Sequence, residues 1–178
     1  NEQVFRIVSN WEMNGDWPDL EQIAQLAGCR NQALFIERYI RIDDQILREE
    51  FKEFDSISIM DEEYPEELLW MHNPPVLLFY EGNIDLLKHP KIAVVGSRRC
   101  SRIGIHSVEK IINELNNELV VVSGLAKGID AASHYAAIRN GGKTIGVIGT
   151  GLDVYYPRCN KQLQKHMSER YLVLTEYG

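Results

Sequence analysis

The chain has 178 residues, 44% of them apolar, with a formal charge of −7, which is enough apolar chain to close one domain or two small ones around buried cores. No apolar run approaches membrane-span length and no basic-then-apolar leader opens it, so a cytoplasmic protein with no membrane partner is expected. Cys29, Cys100 and Cys159 lack C-x-x-C spacing, and the five histidines stand singly, which argues against a disulfide framework and a metal site. Charge is unevenly divided: residues 1–90 carry 7 Lys/Arg against 19 Asp/Glu, and residues 91–178 carry 12 against 7. An acidic half joined to a basic one hints at a polyanion-binding module.

From Val4 to about Phe54 apolar residues recur at helical spacing, as in LEQIAQLAG and NQALFIERYIRI, broken near Asn14-Gly15-Asp16, Gly28 and Asp43-Asp44. Three or four short helices are expected, with Asp16 or Asp19 as a cap and Gly28 at a helix end. From Ser56 to Pro90 the pattern turns extended, and Pro65, Pro74, Pro75 and Pro90 deny long helices. This segment reads as lead-in strands and a linker.

From Lys91 short β-branched runs alternate with amphipathic segments. IAVVG, LVVVSG, TIGVIG and YLVLT read as strands over 92–96, 119–123, 144–148 and 171–175. SVEKIINEL, Asp130 to Arg139 and KQLQKHM read as the helices between them. Strands without polar alternation suit a parallel sheet covered on both faces. The fold expected is therefore α/β: an extended Rossmann-like, doubly wound parallel sheet, preceded by a small all-α domain. A strand order 3-2-1-4 is expected, with the first and fourth strands side by side.

Such sheets bind ligands beyond the carboxyl ends of their strands. The loops there are GSRRCSRIG, SGLAKGID, GTGLDVYYPRCN and TEYG. Gly96, Gly124, Gly128, Gly149 and Gly151 can admit a phosphate or simply allow tight turns. The first loop is not G-x-G-x-x-G, the second strand does not end in an acidic residue, and no G-K-[ST] follows G-T-G-L, so no dinucleotide or other cofactor is expected. Ser123 and Lys127 lack a Ser-x-x-Lys arrangement, and Asp130 and Asp153 read as turn and cap residues before they read as an acid/base pair. No enzymatic activity is expected. What the loops supply is cations: Arg98, Arg99 and Arg102, then Lys127, then Arg158, Lys161 and Lys165. Tyr155 and Tyr156 offer faces for a base or pack on Pro157.

The motifs VVGSRRCSRIG, SGLAKGIDAASH, VIGTGLDVYYP and LTEYG, in this order, closely resemble the DNA-processing family called DprA or Smf. YPEELLWMHNPPVLLFYEGN is similar to that family's lead-in, and residues 1–55 resemble its sterile-alpha-motif-like domain in streptococcal-type members. Domains are thus expected at 1–55, 56–90 and 91–178. The resemblance implies a single-stranded DNA-binding protein that shields incoming DNA in natural transformation and helps load the RecA recombinase. It implies an extended Rossmann fold used without a dinucleotide. The family's G-S-R arginine falls on Arg98, its basic residue after the Y-P pair on Lys161, and a variable, often basic position on Lys127. With the loops these define an expected DNA site of Gly96, Ser97, Arg98, Arg99, Lys127, Gly149, Gly151, Arg158 and Lys161. Asn1 in place of Met and an end on TEYG read as truncation. Family members continue into an F-P-x-R-N-R stretch with further DNA contacts and the surfaces for a homodimer and RecA. A phosphoribohydrolase-like enzyme would need P-G-G-x-G-T, which is absent; an interaction module acting through the acidic helices is the other reading.

Overall fold

The computed structural model describes residues 54–59, 61–115 and 118–177, with a few positions between 21 and 33. The helices expected before residue 55, with their caps at Asp16 or Asp19, lie outside the described residues. The chain divides into two compact units, Asn1–Glu53 with Trp70–Pro74, and Phe54–Leu69 with Pro75–Gly178. No helix among the described residues is long and apolar enough to cross a membrane.

The second unit is built on one six-stranded sheet. Its elements are β1 (Asp55–Ser58), the short helix α1 (Glu66–Leu69), β2 (Leu77–Gly82), a 3-10 turn (Ile84–Lys88), β3 (Lys91–Ala93), α2 (Arg102–Glu114), β4 (Val120–Ser123), α3 (Ile129–Arg139), β5 (Thr144–Ile148), a 3-10 turn (Arg158–Asn160), α4 (Lys161–Arg170) and β6 (Leu172–Thr175). Each expected strand and helix after Lys91 is found within a few residues. Ser101 starts α2 by accepting a hydrogen bond from Gly104 N at 3.1 Å, which satisfies one of the free N–H groups of a first turn.

The strand order is β1-β2-β6-β5-β4-β3. β3 to β6 run parallel to one another, as expected. The expected order 3-2-1-4 is corrected: β6 pairs with β5 (Ile145↔Leu172), not with β3, which stands at the edge beside β4 alone. Each crossover steps one place in the same direction, so the order never reverses within these four strands. The other side of β6 is taken by β2, antiparallel (Tyr80↔Leu174), and β1 continues the sheet. The lead-in strands are thus part of the sheet itself.

Side-chain alternation sorts the core into layers. Val120, Ile145, Leu172 and Leu174 pack with Ile57, Leu78, Tyr64, Leu86 and Leu87. Their neighbours point the other way: Val173 packs with Phe79, Leu125, Leu163 and Met167, and Val121 with Ile112, Ala136 and Ala137. Small alanines let α3 approach closely. Both faces are therefore covered, which is why the strands read as unbroken apolar runs.

His134 is fully buried on α3, and its Nδ1 lies 2.7 Å from Thr144 Oγ1. Thr144 donates to Val121 O at 2.8 Å, so the imidazole donates through Nδ1, and Nε2 has no hydrogen-bond partner. Burial lowers its pKa from 6.5 to about 4, opposed by the nearby Ser123 backbone. Folding therefore favours the neutral ring, and its contribution is complete above the unfolded pKa and lost as pH falls from about 6.5 towards 4. Stability is expected to be about 2 kcal/mol lower near pH 5 than near pH 7.5. Urea denaturation at the two pH values, compared with His134→Gln, checks this; an equal pH dependence in the variant would remove His134 as its source.

Candidate nucleic-acid interface

The loops that follow β3, β4 and β5 leave the same end of a parallel sheet, and the structure ties them together through backbone carbonyls. Ser123, at the end of β4, donates through Oγ to Val94 O at 2.6 Å. In the next loop Ile129 N donates to Ser97 O at 3.3 Å, so the start of α3 holds the G-S-R turn. Inside that turn Ser97 Oγ accepts from Arg99 N at 3.1 Å. Gly96 lies under Ile129, where a Cβ would come within 2.8 Å of its side chain. Gly128, at φ +83°, passes so close to Ser97 and Arg98 that a Cβ would collide with both backbones.

A second set of clamps joins the later loops. Asn160, buried before α4, donates through Nδ2 to Leu125 O at 2.8 Å and Ala126 O at 3.1 Å. Gln164 donates to Leu152 O at 3.1 Å, and Thr175 to Thr150 O at 2.8 Å. Leu125, at φ +54°, is fully buried and anchors the β4 loop in the core. Sequence reasoning did not single out Asn160, Gln164 or Thr175. Only Thr175, at the end of LVLT, stands beside an apolar run, and the sequence displays the distant carbonyl partner of none of the three.

These clamps frame a cavity of about 630 Å³. Arg98 enters from the β3 loop; Gly124, Ala126 and Lys127 come from the β4 loop; Ile148, Gly149 and Thr150 from the end of β5; Tyr156, Pro157 and Arg158 from the approach to α4. Arg98, Lys127 and Arg158 are exposed, and among the described residues none is paired with a carboxylate. Tyr156 stands on the rim, 62% exposed. Asp130, on the first turn of α3, is buried with its carboxylate against Gly124. Among the described residues no group of three His, Cys, Asp or Glu comes together to hold a metal.

Of the nine positions expected at a DNA site, Arg98, Lys127, Gly149 and Arg158 line this cavity. Gly96 and Ser97 belong to the turn that carries Arg98 and do not line the cavity, nor does the exposed Arg99. Gly151 opens a turn closed by Val154 N donating to its carbonyl at 3.1 Å. Lys161 lies over the ring of Tyr155, 4.7 Å from its centroid, and Lys165 lies over the same ring at 5.7 Å. The first and fourth strands, expected side by side, do not meet at this end of the sheet, because β4 and β5 stand between β3 and β6. The loops converge nonetheless, since consecutive parallel strands all end on one side.

A mostly parallel Rossmann-like sheet with a basic cavity beyond its strand ends is the ligand-binding arrangement of open α/β proteins. The family model for DNA recombination-mediator protein A matches residues 55–178, and the one for the DNA processing protein A sterile alpha motif domain matches residues 1–47. The chain belongs to the DNA processing protein A (DprA) family. It is 57% identical to DprA of Streptococcus pneumoniae over 178 residues, covering all of this chain and 63% of that protein, and 41% identical to DprA of Bacillus subtilis over 68% of this chain and 42% of that one. The crystal structure of the pneumococcal protein superposes with a TM-score of 0.93, covering 99% of this chain and 62% of that one. A DprA structure from Helicobacter pylori, described for its single-stranded DNA binding mode, is 30% identical with a TM-score of 0.60, covering 70% of this chain and 57% of that one. The chain thus spans about three fifths of the pneumococcal relative it matches end to end.

Proposed function

We propose that this chain binds single-stranded DNA through the cavity formed by Arg98, Lys127 and Arg158, and that it works in the processing of DNA taken up in natural transformation. The observation that carries this is the convergence of three unpaired cations on glycine-bearing loops, with an exposed Tyr156 on the rim. Cations fix a phosphate backbone without reading sequence, and an exposed aromatic face accepts any base. The Helicobacter pylori relative, described for its binding of single-stranded DNA, supports the same ligand. In this reading the protein shields incoming strands and hands them to the RecA recombinase, acting as a homodimer and by binding, not catalysis.

Titration of labelled single- and double-stranded oligonucleotides tests the reading. Single strands are expected to bind more tightly, with log K falling against log salt at a slope of about −2 to −3, as contact with three or four phosphates gives. A slope near zero, or a preference for duplex, would remove the assignment. For the hand-over, filament formation by RecA on strands coated with a competing single-strand-binding protein is expected to speed up when the chain is added; no change would remove that step.

A further inference from the structure

The convergence of three cations on one cavity also bears on which kind of phosphate it holds. A phosphate inside a strand carries one negative charge and two ester arms, both of which must leave any pocket that holds it. Here three cations from three different loops, Arg98, Lys127 and Arg158, border one half-open cleft of about 630 Å³, within the size range of small-ligand sites. Set around one phosphate, their combined charge exceeds what a single phosphodiester offers, even with the buried Asp130 carboxylate against Gly124 counted in. It suits a phosphomonoester, which carries about −1.5 to −2 near neutral pH, has only one ester arm and has three oxygens free to accept hydrogen bonds. Two glycines, Gly124 and Gly149, keep the wall low, Ile148 gives an apolar patch, and the Tyr156 ring stands at the mouth. A charged end, an apolar patch and an aromatic rim together describe a complete nucleotide.

We propose that the cavity receives a nucleotide phosphomonoester, the terminal phosphate of a DNA strand or a free mononucleotide, in preference to an internal phosphodiester. This rests on the reading of the same cavity as a DNA site and adds to it that a strand end, or a mononucleotide in its place, is the favoured occupant. The guanidinium forks of Arg98 and Arg158 suit the three free oxygens, one of them shared between the two, and Lys127 adds a point charge. No bond is made or broken.

The test compares one oligothymidylate carrying a 5′-phosphate, a 3′-phosphate or hydroxyls at both ends, all competed with thymidine monophosphate, thymidine and inorganic phosphate. A phosphorylated end is expected to raise affinity about tenfold over the unphosphorylated strand. That advantage is expected to shrink below about pH 6, where the monoester loses its second charge, and to vanish in Arg158→Ala. Competition by thymidine monophosphate, but not by thymidine or phosphate alone, assigns the cavity to the free mononucleotide as well. An advantage for phosphorylated ends without such competition assigns it to strand ends. Equal binding of all three strands with no competition by the mononucleotide overturns the proposal while leaving single-stranded DNA binding intact. Failure of every strand to bind overturns both.

Discussion

Replacing Gly128 by alanine is expected to cost about 3 kcal/mol of stability and to abolish most of the DNA binding. Two separate effects add. At φ +83° an L side chain is strained, which costs about 1–2 kcal/mol. The new Cβ would also collide with the carbonyl of Ser97 and the backbone of Arg98, and relieving such overpacking costs about 1–3 kcal/mol more. Relief pushes the G-S-R turn away from α3, so Arg98 leaves the cavity. Gly141 supplies the control: its φ is +69°, but nothing lies within 4 Å of its Cβ position. Gly141→Ala is expected to show the strain alone, with binding unchanged. Urea denaturation and oligonucleotide anisotropy on both variants separate strain from collision. Equal effects of the two on binding would show that the turn is not held by Gly128.

Charge reversal at two of the three cavity cations is expected to have the larger effect on affinity. Arg98→Glu with Arg158→Glu replaces two phosphate contacts by two repulsions, and at roughly 1–2 kcal/mol for each contact the loss exceeds about a hundredfold at low salt. The salt slope is expected to flatten by about one unit per contact removed or less, and the loss is to be the same for every base sequence. Lys161→Glu is expected to do less, because its ammonium lies over the Tyr155 ring and it does not line the cavity. If Lys161→Glu alone matches the double reversal while folding is unchanged, the binding surface lies along α4 and not in the cavity.

Three strands of the parallel half, β4 to β6, were legible because they are buried on both faces and read as short apolar β-branched runs: Val120 and Val121, Ile145 and Ile148, and Leu172 to Leu174 are all buried. The same property hid their order. A run that is apolar on every side carries no mark of its neighbour, so β3 read like a central strand although Ala93 and Val95 are exposed at the sheet edge. The place of β2 in the sheet was hidden for another reason. Its pairing with β6 joins Phe79 to Thr175 across nearly a hundred residues, and LLFYEG reads as a lead-in strand without showing its neighbour. That Arg98, Lys127, Gly149 and Arg158 would line one cavity was legible because loops of consecutive parallel strands share an end, a rule that does not depend on strand order. The position of Lys161 was not, since one residue of phase around the first turn of α4 decides between the cavity and the face of Tyr155.

The clamps between loops bear on how long a complex lasts. Ser123, Asn160 and Thr175 hold the backbone carbonyls of Val94, Leu125, Ala126 and Thr150 in place, whereas Arg98, Lys127 and Arg158 extend from that frame with exposed side chains. For a strand bound there as proposed, the frame is already held by these hydrogen bonds, and encounter would be set by diffusion and charge. The arms give up rotamer freedom on binding, up to about 2 kcal/mol each, and recover it one at a time on release. Dissociation then proceeds by successive small steps in place of one concerted opening, and a strand held this way can be passed along or exchanged without the fold having to move.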